Sequence, residues 1–189
     1  MTCFCLQATG YYEAGLFNSK LLWFALTSET TIASGGFFRM KSQYLETLPI
    51  PPATDAQKAE LAVLAEAAQA AAEERYRLQQ EVTRRIPDLA PRVSTSLDTN
   101  GGKVKLTERL KAWWDLPDFA AFQAEVTKAL KGDIPLKDRN DWESWISDNR
   151  SKIHALTAEV ARIEGEINTR VYALFGLTPA EVELLEANI

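Results

Sequence analysis

The chain has 189 residues, 46% of them hydrophobic, 25% charged and 10% aromatic, a globular balance that excludes wholesale disorder and fits one domain or a small unit with a helical extension. Lys and Arg total 21 against 26 Asp and Glu, net −5, which excludes a strongly basic nucleic-acid binder over the whole chain but not a local basic patch. A single histidine, His154, and two cysteines, Cys3 and Cys5, exclude a four-ligand Cys/His zinc site within the chain and a disulfide framework, so a reducing cytoplasm is expected.

No membrane association is expected either. The best apolar run, residues 21–26, is far short of the roughly 20 residues that cross a bilayer. The first residues lack the basic stretch of a secretion signal.

Residues 11–28 read as one helix with Leu16, Leu21, Leu22, Phe24 and Ala25 on a broad apolar face. Gly35 and Gly36 break the pattern, and residues 37–41 alternate as a short strand. Pro49, Pro51 and Pro52 mark a boundary. Thr54 and Gln57 have capping-box spacing and open a first long helix, about 54–86, without Gly or Pro. Its apolar residues Leu61, Leu64, Ala68, Ala71, Leu78 and Val82 follow heptad steps, with Arg75 interrupting one position. Pro87 and Pro91 stop it.

Residues 92–112 hold five basic and two acidic groups and form the one basic segment, which includes the loop-like stretch 94–102. Two shorter helices follow, one near 106–115 with Leu110, Trp113 and Trp114, the other from Pro117 and Asp118 with Phe119, Phe122, Val126 and Leu130. A second long helix, about 138–175, carries Trp142, Ile146, Asn149, Ile153, Leu156, Val160, Ile163, Ile167 and Leu174 at heptad spacing. Gly176 ends it, and Thr178, Pro179 and Glu181 start a last short helix. The two heptad seams either pair with each other, antiparallel, or pack into a larger core.

Catalytic signatures are sparse. His154, between seam positions, reads as a surface or seam-edge residue rather than a triad base. The glycine pairs 35–36 and 101–102 lack phosphate-loop spacing. Pro117 and Asp118 with Glu125 and Lys128 resemble a nuclease carboxylate cluster only faintly and fit one amphipathic helix. Cys3 and Cys5 read as small apolar residues rather than ligands. Arg39 and Lys41 share one face of the predicted strand, where they either contact phosphates or form an ordinary solvent face. Lys103, Lys105, Arg109 and Lys111 leave the same two options.

Two stretches carry a resemblance. Leu16-Phe17-Asn18-Ser19-Lys20-Leu21-Leu22-Trp23-Phe24 and residues 35–51, which end Leu48-Pro49-Ile50-Pro51, resemble the end of the target-recognition domain in site-specific adenine DNA methyltransferases. These are the type IIG restriction-modification enzymes and their relatives with a TaqI-like specificity domain. The tail, residues 167–181 with Val171-Tyr172-Ala173-Leu174-Phe175-Gly176-Leu177-Thr178, resembles the way those proteins finish.

The resemblance covers about residues 14–52 and 138–186. It implies a truncated, split or excised specificity segment. It also implies that S-adenosylmethionine, Mg and the Asn-Pro-Pro-Tyr/Phe catalytic motif belong to upstream domains, leaving no cofactor, metal or catalytic residue in this chain. The expected fold is mainly α: a long antiparallel coiled-coil-like helix pair with a small α/β N-terminal remnant of a specificity domain, residues 1–52, ahead of a helical region, 53–189.

The expected function is a non-catalytic DNA-recognition and scaffold module that binds double-stranded DNA weakly through Arg39, Lys41, Lys103 and Lys105, beside a methyltransferase catalytic subunit or domain. The alternative is a helical module that docks a methyltransferase or other subunit without binding DNA itself.

Overall fold

The computed structural model describes residues 10–29, 32–33, 37–38, 48–89 and 106–189. In place of one helix over 11–28 it has two, α1 (Tyr11–Phe17) and α2 (Lys20–Glu29). The break falls at Asn18 and Ser19, whose short side chains satisfy backbone groups locally. Asn18 Nδ2 donates to Ala14 O at 2.8 Å, and Ser19 Oγ donates to Leu16 O at 2.7 Å while accepting from Leu22 N at 3.4 Å. Such side chains compete with helical bonds and favour caps over helix interiors. Strands β1 (Ile32–Ala33) and β2 (Phe37–Phe38) form an antiparallel ladder with Ile32 opposite Phe38 and Ala33 opposite Phe37.

Helix α3 (Asp55–Thr83) begins at the predicted capping box: Gln57 N donates to Thr54 Oγ1 at 3.3 Å, and Thr54 N to Gln57 Oε1 at 2.9 Å. It ends before the expected Ile86, and the chain tightens into a 3₁₀ turn, Ile86–Leu89, that accommodates Pro87. The helix predicted over 106–115 is only one turn of α4 (Glu108–Lys111), followed by a 3₁₀ turn, Trp113–Asp115. Asp118 caps α5 (Phe119–Leu130), accepting from Ala121 N at 2.8 Å.

After a further 3₁₀ turn, Leu136–Asp138, comes α6 (Arg139–Phe175). It closes with Gly176 at φ 69°, while Leu177 N donates to Tyr172 O at 3.0 Å and Gly176 N to Ala173 O at 3.1 Å. This is the Schellman pattern expected from the Phe-Gly-Leu sequence. Helix α7 (Pro179–Glu186) starts with a full capping box between Thr178 and Glu181.

The architecture is mainly α, and it divides into two units: residues 1–70 with 159–189, and residues 71–158. In the first unit Leu16 and Leu22 join Leu61 of α3 and Ile163, Ile167 and Val171 of α6 in a buried cluster. In the second, Leu78 and Val82 of α3 join Ile146 and Ile153 of α6, together with Ile86, Leu110, Trp113, Phe122, Val126 and Ile134. The start of α3 therefore partners the end of α6, and the end of α3 partners the start of α6, the order expected of antiparallel helices. Each pair also accepts further helices, so both packing options hold at once.

The seam is rotated slightly from the strict heptad. Ala65 and Val171 are buried, whereas Leu64 and Leu174 are half-buried. An α-helix drifts against a seven-residue repeat, and packing against α1 and α2 draws that drift inward. Gly15 permits the approach: a Cβ there would stand 3.1 Å from Leu61 Cγ and 3.3 Å from Ala65 Cβ. Among the described residues no helix is long and apolar enough to cross a membrane.

Candidate functional site

Arg39, Lys41, Lys103 and Lys105, the four expected DNA contacts, lie outside the described residues, as do Cys3 and Cys5. Of the five cations of the basic segment two are described, Arg109 and Lys111, and both are engaged. Arg109 Nη1 donates to Glu125 Oε1 at 2.9 Å, and Lys111 Nζ to Glu108 Oε1 at 2.6 Å. Glu125 is 6% exposed and also receives Thr107 Oγ1 at 3.4 Å, with Lys128 Nζ at 3.9 Å. Thr107 caps α4 by accepting from Leu110 N at 3.2 Å. The carboxylate thus ties the first turn of α4 to α5, a structural task in place of the nuclease chemistry that Glu125 and Lys128 faintly suggested. A buried carboxylate without such partners would be costly.

His154 is exposed, with Nε2 3.1 Å from Trp114 O, as befits a seam-edge residue. Among the described residues no group of three or more His, Cys, Asp or Glu is placed to hold a metal ion.

The described motif residues converge in the first unit. Lys20, from the Asn-Ser-Lys stretch, opens α2, and its backbone N donates to Oδ1 of Asn168 on α6 at 2.8 Å. Asn168, 8% exposed, thereby caps a helix that begins 148 residues earlier in the chain. The Lys20 ammonium pairs with Glu186 of α7, which also accepts Tyr172 Oη at 2.7 Å. On the far side of α6, Arg170 pairs with Glu60 of α3.

Burial and the Glu186 carboxylate push the Tyr172 hydroxyl well above its ordinary range, while the bond from Lys20, then that from Tyr172, hold Glu186 below the usual carboxylate range. Tyr172 therefore keeps its proton and Glu186 its charge near neutrality. The network ties the start of α2 and the end of α7 to α6. A cleft of about 900 Å³ lies beside it, lined by Lys20, Gly165, Asn168, Tyr172, Leu177 and Glu186 among others.

Asn18, Lys20, Asn168 and Tyr172 lie within the stretches that carry the resemblance, and the sequence pattern gives them no role. The available signal was the Asn-Ser pair inside an apolar helical pattern, which marks a break needing a cap. That the cap comes from Asn168 has no local trace. A profile describing a domain of unknown function (DUF8810) matches residues 54–171. No curated protein and no solved structure matches the chain.

Proposed function

The chain belongs to the DUF8810 family, described only as a domain of unknown function. We propose that it is a non-catalytic DNA-recognition and scaffold module of a site-specific adenine DNA methyltransferase of the restriction-modification type, working in the cytoplasm. One observation carries this reading. The two stretches that resemble such enzymes, around Lys20 and around Asn168, belong to one unit and are bonded to each other. A shared sequence signature whose halves cap and bury one another is what a scaffold requires: the end of the specificity segment is held against α6. In this reading Arg39, Lys41, Lys103 and Lys105 contact phosphates of double-stranded DNA. The catalytic motif, S-adenosylmethionine and any Mg belong to a partner subunit or domain.

The test is duplex binding by the purified chain across a salt series. Lys103→Gln with Lys105→Gln is expected to weaken binding about equally for all sequences and to flatten the salt slope by about two phosphate contacts. With S-adenosylmethionine and duplex DNA the chain alone is expected to transfer no methyl groups; transfer would overturn the non-catalytic assignment. A second reading, a helical module that docks a methyltransferase subunit without touching DNA, is favoured by the engagement of Arg109 and Lys111 with Glu125 and Glu108, which weakens the local positive field. Absence of duplex binding at low salt would put it first.

A further inference from the structure

The second unit carries a surface that the duplex reading does not use. Helix α3 gives way to a turn at Arg84 and Arg85, and two adjoining cavities of about 850 and 350 Å³ open there. Both are lined by Arg85, Asp88 and Trp145. The larger adds Arg77, Glu81 and Arg84, the smaller Asp141 and Trp142. Their sizes fall in or near the range of about 300–1,000 Å³ typical of small-molecule sites.

Pairing sorts the charges. Arg77 is held by Glu74 at 2.7 Å and Glu81 at 3.0 Å. Arg85 and Asp88 stand 3.6 Å apart with side chains 69% and 65% exposed, a loose pair. Arg84 bonds only the main-chain oxygen of Gln80, at 3.2 Å, and has no acidic partner among the described residues. The Asp141 carboxylate makes no ion pair or hydrogen bond among them. Trp145 lines both cavities and Trp142 the smaller one, and their indoles lie with centroids 5.3 Å apart and planes at 69°. Trp142 stacks on the fully buried Phe122 at 6.0 Å and 22°, and the carbonyl of Trp145 accepts Asn149 Nδ2 at 2.9 Å. The Trp142 ring is thus braced by the core.

We propose that Arg84, Arg85, Trp142, Trp145 and Asp141 form a nucleotide-binding site, which takes either a free nucleoside phosphate or one unit of a single strand. A phosphate meets the arginines, the base lies on an indole, and an exocyclic amino group donates to Asp141. Cytosine, adenine and guanine carry such an amino group. Thymine offers one N–H between two carbonyl oxygens, which a carboxylate repels, so the site selects amino-bearing bases. Duplex binding through Lys103 and Lys105 involves other residues, and the two proposals can fail separately.

The experiment titrates the full chain at low salt with dCMP, dTMP, a 12-mer of dC and a 12-mer of dT, reading tryptophan fluorescence and indole N–H resonances. The dC 12-mer is expected to bind about threefold to tenfold more tightly than the dT 12-mer. Saturation by dCMP at similar concentration identifies a free nucleotide as the ligand; saturation by the 12-mer alone identifies a strand. Arg84→Gln with Arg85→Gln should weaken binding about tenfold and lower the salt slope by about 1.4, two single-strand phosphate contacts. Asp141→Asn should erase the preference for cytosine over thymine while duplex affinity stays unchanged. The proposal is overturned if no ligand alters the indole signals, if the double arginine variant binds as tightly as the parent, or if Asp141→Asn leaves the base preference as it was.

Discussion

The unit made from the two ends of the sequence and the unit made from its middle both bury one face of α3 and one face of α6, but with different side chains. The middle unit uses aromatic bulk: Trp113 and Phe122 are fully buried, Phe119 and Trp142 stack on Phe122, and Trp113 Nε1 donates to Gln79 O at 3.3 Å. The unit of the chain ends uses aliphatic side chains and adds polar pins at Asn168, Tyr172, Lys20 and Glu186. The reason lies in connectivity. Residues 71–158 are contiguous, so their partners lie nearer in sequence, and non-directional apolar burial does most of the holding. In the other unit the partners are well over a hundred residues apart, and apolar contact alone specifies poorly how α2 meets α6. Directional bonds to a capped helix start define that meeting.

Trp113→Ala puts this contrast under the heaviest load. It should cost about 3–5 kcal/mol, the usual range for a fully buried tryptophan, read as a fall in the denaturant midpoint. Native-state hydrogen exchange should quicken in α5 before α7. Equal acceleration in both helices would show that the two units open as one. Asn168→Ala attacks the other unit. With its acceptor gone, Lys20 N loses its cap, a change worth about 1–2 kcal/mol. Exchange should quicken at the start of α2 while α5 stays protected.

Gly176→Ala is milder. A Cβ there meets nothing within 4 Å, so only the left-handed backbone at φ 69° resists it, at about 1 kcal/mol, detectable as a lower Tm. Glu186→Gln should have the smallest effect at neutral pH, since its pairs are partly exposed and screened. Its signature is a pH profile. The folded state holds the Glu186 carboxyl below the usual range, and likewise Glu159 and Glu181 in the same unit and Glu74 and Asp133 in the other. Stability from these groups is fully present above the unfolded carboxylate values, near pH 4, and is lost as the pH falls through the lowered folded values. The variant should lose a little neutral Tm, show a shallower acid limb and converge with the parent at low pH; an unchanged limb would remove Glu186 from the pins.

Much of the element order was legible without coordinates, because caps and stops are local chemistry. Thr54 with Gln57, Asp118, Gly176, and Thr178 with Glu181 act within a turn or so of their own position, and their bonds are the expected ones. The seam residues Leu61, Leu78, Val82, Ile146, Ile153, Ile163 and Ile167 were legible too, since a periodic apolar face must be buried somewhere. The site was far less legible. Arg84 and Arg85 fall inside the predicted first long helix without a role, and Trp142 reads as a seam position. Their common surface depends on which start of one helix meets which end of the other. Arg109 and Lys111 counted as free charge in the sequence, whereas Glu125 and Glu108 engage them in the fold.

The sequence by itself determined that this chain is mainly helical, where its long helices lie and which faces they bury, because propensity, capping and periodicity act over a few residues. Only the tertiary structure decided that Asn168 caps α2 from 148 residues further along the chain, and that the middle segment closes on Trp113 as a unit of its own. Those outcomes depend on contacts between residues far apart in sequence, and a linear pattern carries no information about which distant groups meet until packing has chosen among them.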